Sequence, residues 1–173
     1  MSPRNLAGVR AAVLTLSDSI SRGEHADSSG DVIVEMLTAL AAEVIARDVL
    51  PDDADRISAA LRAYADEGRA DLVVTTGGSG VAPRDVTPEA TLRVVDRLVP
   101  GIAEAARVRT LAQTPLAMLS RGVAGIRART LIINLPGSPK AVREWLEVIT
   151  PVLPHAMELL QARPRRWGEP HGA

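Results

Sequence analysis

The sequence predicts an α/β fold with three layers, in which helices cover both faces of a mostly parallel sheet. Three aliphatic runs are typical of strands buried on both faces, and they lie at residues 9–16, Leu72–Thr76 and Thr130–Leu135. A weaker fourth run covers Glu43–Leu50. Amphipathic segments separate these runs. Strands that alternate with helices pair in parallel through right-handed crossovers, which places helices on both sides of one sheet.

Helical periodicity predicts the elements between and after the strands. A helix is expected over residues 102–111, followed by irregular or short-strand structure up to residue 129. Pro151 predicts a kink or a new helix start, because proline suits a first helical turn but interrupts an interior. The apolar faces of the first two helices and of the last one comprise Val32, Ile33, Met36, Leu37 and Leu40, then Ile57, Ala60, Leu61 and Tyr64, then Val142, Trp145, Leu146 and Ile149.

The composition is that of one domain with an aliphatic core. The chain has 173 residues, 46% of them hydrophobic and none phenylalanine, so we expect a single domain over residues 1–173. Its core should span about 10–160, with a loose tail at 163–173. Cysteine is absent, which excludes thiolate chemistry and favours the cytoplasm. No apolar stretch has membrane-spanning length and the net charge is −1, so neither a membrane nor a nucleic-acid partner is expected.

Small, acidic or hydroxyl residues follow every predicted parallel strand. In an open α/β sheet, ligands bind outside the carboxyl ends of the strands. These exits therefore predict one shared pocket at one edge of the sheet. The residues at the exits are Ser17 and Asp18; Pro51, Asp52 and Asp53; Gly77, Gly78, Ser79 and Gly80 with Arg84 and Asp85; and Pro136, Gly137, Ser138 and Pro139.

The glycine-rich turn at residues 77–80 predicts anion binding. Glycines let backbone N–H groups approach a ligand closely, and such nests favour phosphate. A tight strand-to-helix turn without a ligand explains the same residues equally well. No Gly-Lys-Ser/Thr follows, which disfavours a P-loop. Valine at Gly78 is expected to abolish anion binding more than stability, because an exposed turn contributes little buried apolar area.

Asp52 and Asp85 are candidates for a magnesium site, because Mg²⁺ prefers hard oxygen ligands such as carboxylates. A helix cap is the alternative for Asp52, since the chain looks helical from Ala54 onward. Asp85 is less easily explained in that way. Thr87 is predicted to cap the next helix, with Pro88 at its first position. Other predicted caps are a capping box of Ser28 with Asp31, and Ser138 before the final long helix.

The segment TTGGSGVAPRDVTPEA at residues 75–90 resembles the signature of the molybdopterin-binding Mog/MoaB family, which also includes the gephyrin G domain. The segments LSD at 16–18, LPDD at 50–53, LSR at 119–121 and NLPGSPKA at 134–141 match in the same order. The resemblance covers about residues 10–160. Ser79 departs from the family, where threonine is common, but it keeps the hydroxyl group.

The resemblance implies a homotrimeric enzyme of molybdenum cofactor biosynthesis. Such an enzyme adenylylates molybdopterin with ATP and Mg²⁺ and releases pyrophosphate. Asp52 and Asp85 match the catalytic and metal-binding positions of the family. The substrate-binding positions are matched by Gly77, Gly78, Ser79 and Gly80 in the phosphate loop and by Ser17, Asp18, Ser120, Pro136, Gly137 and Ser138 in the pocket lining.

The alternative is a MoaB-type carrier that binds molybdopterin without transferase activity. Retention of both Asp52 and Asp85 favours the enzyme, because storage of a pterin needs no pair of metal-binding carboxylates. Residues 22–24 and 134–137 look more like the Mog branch. Hand-over of the product to a molybdenum-insertion protein is a further expected interaction.

Overall fold

A six-stranded sheet forms the centre of the computed structural model, which describes residues 5–161. The strands are β1 (Arg10–Leu16), β2 (Glu43–Leu50), β3 (Leu72–Thr76), β4 (Arg97–Leu98), β5 (Ala124–Arg127) and β6 (Thr130–Leu135). Their order in the sheet is β2-β1-β3-β6-β5-β4. The first four in that order pair in parallel, and β5 and β4 continue the sheet in antiparallel pairing.

Helices cover both faces of this sheet, so the predicted three-layer α/β fold is confirmed. Their bounds are α1 (Asp18–Ser21), α2 (Ser28–Ala39), α3 (Ala54–Asp66), α4 (Thr87–Leu92), α5 (Pro100–Leu111), α6 (Pro139–Ile149) and α7 (Leu153–Gln161). Short 3₁₀ turns lie at Pro115–Leu119 and Thr150–Val152. None of the helices between residues 5 and 161 is long and apolar enough to span a bilayer.

Two hydrophobic cores lie on opposite faces of the sheet. Successive residues of a strand point to opposite faces, and Val13 belongs to one core while Leu14 belongs to the other. Helices α2, α5, α6 and α7 pack on the first core, whose largest side chain is the buried Trp145. Helices α3 and α4 contribute to the second core. Every residue of β3 and β6 is buried, which explains their mostly aliphatic sequences.

The predicted strands and the break near Pro151 are confirmed. Strand β2 lies at the edge of the sheet and is only partly buried, which accounts for its weaker sequence pattern. Helix α6 ends at Ile149, and α7 begins at Leu153 after the 3₁₀ turn. The predicted tail at 163–173 lies outside the described residues. A single domain over the whole chain stays a prediction.

Two of the predicted helix caps are wrong. Asp27 rather than Ser28 caps α2, and its side chain accepts a hydrogen bond from the Gly30 N–H at 2.9 Å. Thr87 is the first residue of α4 and makes no capping bond, because its hydroxyl donates to the carbonyl of Gly77 at 2.9 Å. Threonine here fastens the helix to the glycine turn.

The remaining cap assignments concern Asp53 and Ser138. Asp53 caps α3 by accepting from the N–H groups of Asp55 and Arg56, both at 3.0 Å. The helix-cap alternative for Asp52 is therefore wrong. Ser138 caps α6 as predicted, accepting from the Ala141 N–H at 3.2 Å.

Candidate active site

The carboxyl ends of the four parallel strands open into two adjoining cavities. The first, called the carboxylate pocket, has a volume of about 270 Å³ and is lined by Ser17, Asp52, Gly77, Gly78, Asp85 and Gly137, among others. The second, called the loop pocket, has a volume of about 300 Å³ and is lined by Gly78, Ser79, Gly80, Asp85, Ser120, Pro136 and Gly137, among others. Gly78, Asp85 and Gly137 line both, so the two cavities lie side by side.

All predicted site residues except Asp18 and Ser138 line one of these two pockets. Asp18 supports Asp52 through hydrogen bonds instead of lining the cavity. Ser138 caps α6 and lines a neighbouring cavity. The sequence therefore predicted the position of the site, while the chemical roles of its residues stay predictions.

The glycine turn is held tightly against the rest of the site. Gly77 has a φ of +92° and Gly78 a φ of +59°, a region that favours glycine. A Cβ atom on Gly77 would lie 2.2 Å from the Leu16 carbonyl oxygen. A Cβ on Gly78 would lie 2.4 Å from Thr87 Oγ1 and 3.0 Å from Asp52 Oδ1. Gly78 is half-buried, so the expectation of an exposed turn that tolerates valine is replaced by one of lost stability.

Asp18 and Asp52 bind each other's backbone. The Asp18 N–H donates to Asp52 Oδ2 at 3.0 Å, and the Asp52 N–H donates to Asp18 Oδ1 at 3.1 Å. Arg84 donates two hydrogen bonds to the other oxygen of Asp18, at 2.9 and 2.6 Å. These bonds from Arg84 lower the pKa of Asp18 and keep it ionised. The exits of β1 and β2 are thereby joined, and Asp52 is fixed in place.

Asp52 presents an unsatisfied oxygen at the carboxylate pocket. Its Oδ1 atom is buried and has no hydrogen-bond partner within the described part of the chain. Burial raises the pKa of Asp52, and the negative charges of Asp18 and Asp85 act in the same direction. A buried carboxylate oxygen without a partner is unfavourable unless a cation or donor reaches it.

The donor set fits a hard divalent cation that keeps most of its water. Asp52 and Asp85 line the same cavity, and carboxylate oxygens are ligands that Mg²⁺ accepts. Within residues 5–161, no cluster of three histidine, cysteine or acidic side chains is arranged to hold a metal. A cation at this pocket would therefore depend on substrate phosphates and water for its other ligands.

Comparison with known proteins decides the family. Residues 12–155 match the family described as a probable molybdopterin binding domain. The chain belongs to this family. Molybdopterin adenylyltransferase from Helicobacter pylori is 43% identical over 154 residues, which is 88% of both chains, and the enzyme of that name from Escherichia coli is 41% identical over 141 residues, or 80% of this chain and 72% of the relative. The predicted resemblance is confirmed.

Solved structures from both branches of the family share the fold of this molybdopterin-binding domain. The enzyme MoaB from Thermus thermophilus has a TM-score of 0.85 and 51% identity, covering 90% of this chain and 98% of its own. The Mog protein from Mycobacterium ulcerans has a TM-score of 0.83 and 37% identity, covering 88% and 99%. Since both branches match well, the choice between Mog and MoaB stays open.

Arg121 has a structural role at the site of this molybdopterin-binding domain that the sequence did not indicate. Its Nε donates to the Gly80 carbonyl at 2.6 Å, and its Nη2 donates to the Asp85 carbonyl at 2.7 Å. Its backbone N–H also donates to the Ser79 carbonyl at 2.8 Å, and its guanidinium pairs with Glu89. One side chain thus holds both ends of the loop that carries Asp85. The LSR motif was the only signal in the sequence.

Three hydroxyl groups donate hydrogen bonds to the backbone carbonyls of residues 135–137, beside the site. Ser29 Oγ donates to the Gly137 carbonyl at 2.6 Å, and Thr76 Oγ1 donates to the Pro136 carbonyl at 2.6 Å. The buried Ser79 hydroxyl donates to the Leu135 carbonyl at 3.2 Å. The domain uses these bonds to fasten the 136–137 turn beside the glycine turn. Ser79 therefore has a structural bond besides any contact with a ligand.

Proposed function

We propose that this chain is a molybdopterin adenylyltransferase of molybdenum cofactor biosynthesis. The observation that carries the proposal is the buried, partnerless Oδ1 of Asp52, which shares one cavity with Asp85 and the glycine turn. That arrangement suits a phosphate-transfer site with a divalent cation. The relatives from Helicobacter pylori and Escherichia coli are named for this same activity.

The reaction is a displacement at the α-phosphorus of ATP. A terminal phosphate oxygen of molybdopterin forms the new P–O bond, the bond to the β-phosphate oxygen breaks, and pyrophosphate leaves. Such transfer depends on positioning and on neutralisation of charge, so no protein nucleophile is required. Mg²⁺ held by Asp52 and Asp85 would supply the positive charge that the phosphates require.

The residues of the chain position these groups. Gly77 and Gly78 line the carboxylate pocket with positive φ, a backbone geometry that suits phosphate binding. Arg121 fixes the loop that carries Asp85. Asp18 and Arg84 fix Asp52, and the ion pair with Arg84 cancels one of the three negative charges beside the phosphate site.

The MoaB-type carrier without transferase activity is the second candidate. A carrier would bind molybdopterin and pass it on without forming a new bond. The partnerless oxygen of Asp52 favours the enzyme instead, since a carrier gains nothing from an unfavourable buried carboxylate. Hand-over to a molybdenum-insertion protein and a cytoplasmic location stay predictions.

The deciding experiment is incubation of the purified protein with molybdopterin, ATP and Mg²⁺, followed by detection of adenylylated pterin and pyrophosphate. The enzyme yields both products in equal amounts, and neither forms when a chelator removes Mg²⁺. Replacing the α,β-bridging oxygen of ATP by a methylene group blocks pyrophosphate release and serves as a second control. Tight binding of molybdopterin without product formation would establish the carrier.

The homotrimer is part of the same proposal. Large apolar side chains that remain exposed are concentrated at residues 81–119, and exposed apolar patches mark interfaces. Light scattering on the purified protein measures the molar mass directly. The exposed members of this segment are Val81, Leu92, Leu98, Val108, Leu111, Leu116, Met118 and Leu119.

A further inference from the structure

Asp27 lies at the start of α2, and its carboxylate makes more hydrogen bonds than a helix cap requires. The side chain is only 9% exposed. One oxygen accepts the capping bond from the Gly30 N–H at 2.9 Å. The other oxygen accepts from the Thr15 hydroxyl at 2.9 Å and from Nη2 of Arg47 at 3.0 Å. The carboxylate therefore joins the start of α2 to two strands, β1 and β2.

Arg47 holds the backbone of Asp27 as well as its side chain. Its Nη2 also donates to the Asp27 carbonyl at 2.8 Å, and its Nε donates to the carboxylate at 3.3 Å. Its Nη1 donates to Asp31, one turn further along α2, at 2.6 Å. The side chain of Asp31 is 67% exposed, so water screens that ion pair and it contributes little. The bonds to Asp27, whose carboxylate is shielded from water, are the stronger ones.

Ser29, two residues after Asp27, connects the start of α2 to the carboxylate pocket. It is buried, it lines the pocket, and its Oγ donates to the Gly137 carbonyl at 2.6 Å. A Cβ on Gly137 would lie 3.5 Å from the Gly77 Cα, so the turn that contains Gly137 packs against the glycine turn. A displacement of the start of α2 would therefore reach the glycine turn through one hydrogen bond and one packing contact.

We propose that Asp27 is a positioning residue for the carboxylate pocket and that it acts through Ser29 on the turn that contains Gly137. Asp27 does not itself line the pocket, so its effect on a ligand is indirect. Small displacements are sufficient for such an effect, because a misplacement of about 1 Å can cost about 100-fold. The inference rests on the proposed function for the identity of the substrate, whose phosphate is proposed to bind at the glycine turn.

Two variants separate positioning from capping. In Asp27→Ser the cap is kept, because serine caps helices about as well as aspartate, but one hydroxyl cannot also accept from Thr15 and Arg47. Gly30→Ala keeps the carboxylate but displaces it, since the added Cβ would lie 2.2 Å from Asp27 Oδ2 and 2.8 Å from its Cγ. Asp31→Asn is the matched control, because it removes an exposed carboxylate that pairs with the same arginine on the same helix.

The test is calorimetric titration with molybdopterin in the absence of ATP, together with steady-state kinetics and urea unfolding of the same samples. We expect Asp27→Ser and Gly30→Ala to weaken molybdopterin binding about tenfold and to raise its KM by the same factor. The kcat should change less than about threefold, because Asp52 and Asp85 keep their positions. Asp31→Asn should match the wild type in affinity and in both kinetic constants. A merely structural cap would lower the urea midpoint without changing the affinity of the folded protein.

A double-mutant cycle tests the route through Ser29. In a Ser29→Ala background the bond to the Gly137 carbonyl is already missing, so Asp27→Ser should cause little further loss of affinity. Full additivity of the two losses would overturn the proposal, as would wild-type affinity in Asp27→Ser.

The titration also distinguishes this proposal from the proposed function, because binding needs neither ATP nor turnover. Weakened binding in Asp27→Ser supports the positioning role even if the wild type transfers no adenylyl group, a result that would reject the enzyme. Normal affinity in Asp27→Ser alongside transfer by the wild type overturns the positioning role and leaves the proposed function standing.

Discussion

Replacing Gly78 by alanine tests whether the glycine turn is a structural anchor of the site. The added Cβ would lie 2.4 Å from Thr87 Oγ1 and 3.0 Å from Asp52 Oδ1, closer than a methyl group tolerates. The backbone at this position also has a φ of +59°, which is unfavourable for alanine. Two separate penalties are therefore expected, one from the backbone and one from the contact.

The size of each penalty follows from these contacts. Alanine in the left-handed region costs about 1–2 kcal/mol. Thr87 Oγ1 must also move away and lose its hydrogen bond to the Gly77 carbonyl, which adds about 0.5–1.5 kcal/mol. Together, Gly78→Ala should lower the free energy of unfolding by about 1.5–3.5 kcal/mol.

Gly68 provides a matched control for the backbone penalty. It has a φ of +60°, and apart from its chain neighbours no atom of residues 5–161 lies within 4 Å of the position that its Cβ would take. Urea unfolding of Gly68→Ala should therefore show only the first penalty. In a Thr87→Ala background, the cost of Gly78→Ala should fall toward the Gly68→Ala value. If Gly78→Ala and Gly68→Ala lose equal stability in the wild-type background, the contact with Thr87 has no energetic importance.

Three further predictions concern the carboxylates, the loop anchor and the buried tyrosine. Asp85→Asn and Asp52→Asn should each lower turnover about 100-fold or more with little change in molybdopterin affinity, because the carboxylates stabilise charge in the transition state; kinetics and calorimetry measure both. Arg121→Lys should lower turnover about tenfold and increase hydrogen exchange at residues 80–86, because lysine cannot bridge two carbonyl groups. Burial, together with the hydrogen bond to Asp48, raises the pKa of Tyr64 to about 12. The unfolded chain then loses its proton first, so unfolding free energy should be constant below about pH 10 and fall as pH rises toward 12.

Each of these has an outcome that contradicts it. Wild-type turnover in Asp85→Asn would remove the metal and catalytic role of that residue. Uniformly faster exchange across Arg121→Lys would indicate general destabilisation instead of a released loop, and Arg143→Lys on the exposed side of α6 controls for the chemical change. Tyrosinate absorbance reports Tyr64 alone, since the chain has one tyrosine, and an unshifted titration would refute the buried environment.

The sequence predicted the parallel part of the sheet because strands buried on both faces contain mostly aliphatic residues. Strands β3 and β6 are buried at every residue, and most of their residues are therefore aliphatic. Strand β4 has only two residues, both exposed, and β5 has only four residues. Neither strand is long enough to show a recognisable pattern. Their pairing depends on neighbours that are distant in the sequence.

The errors at the site have a similar origin. Asp27 and Ser28 can both cap a helix, and the choice of Asp27 is supported by Thr15 Oγ1, which donates to its carboxylate at 2.9 Å from a different element. Asp18 and Asp52 both follow strands, and only the folded chain shows that Arg84 neutralises the first. The cavity lined by Glu144 and Trp145 exists only where α5 and α6 pack, so no local sequence pattern marks it.

The bond between Ser29 and the Gly137 carbonyl joins residues 108 positions apart, and that between Thr76 and the Pro136 carbonyl joins residues 60 apart. Contacts of such long range form only when the strands have found their correct neighbours. A chain with mispaired strands consequently has no complete pocket. Since a ligand that binds only the native state stabilises that state as a whole, saturable molybdopterin binding would measure the correctly folded fraction of a refolded or truncated sample.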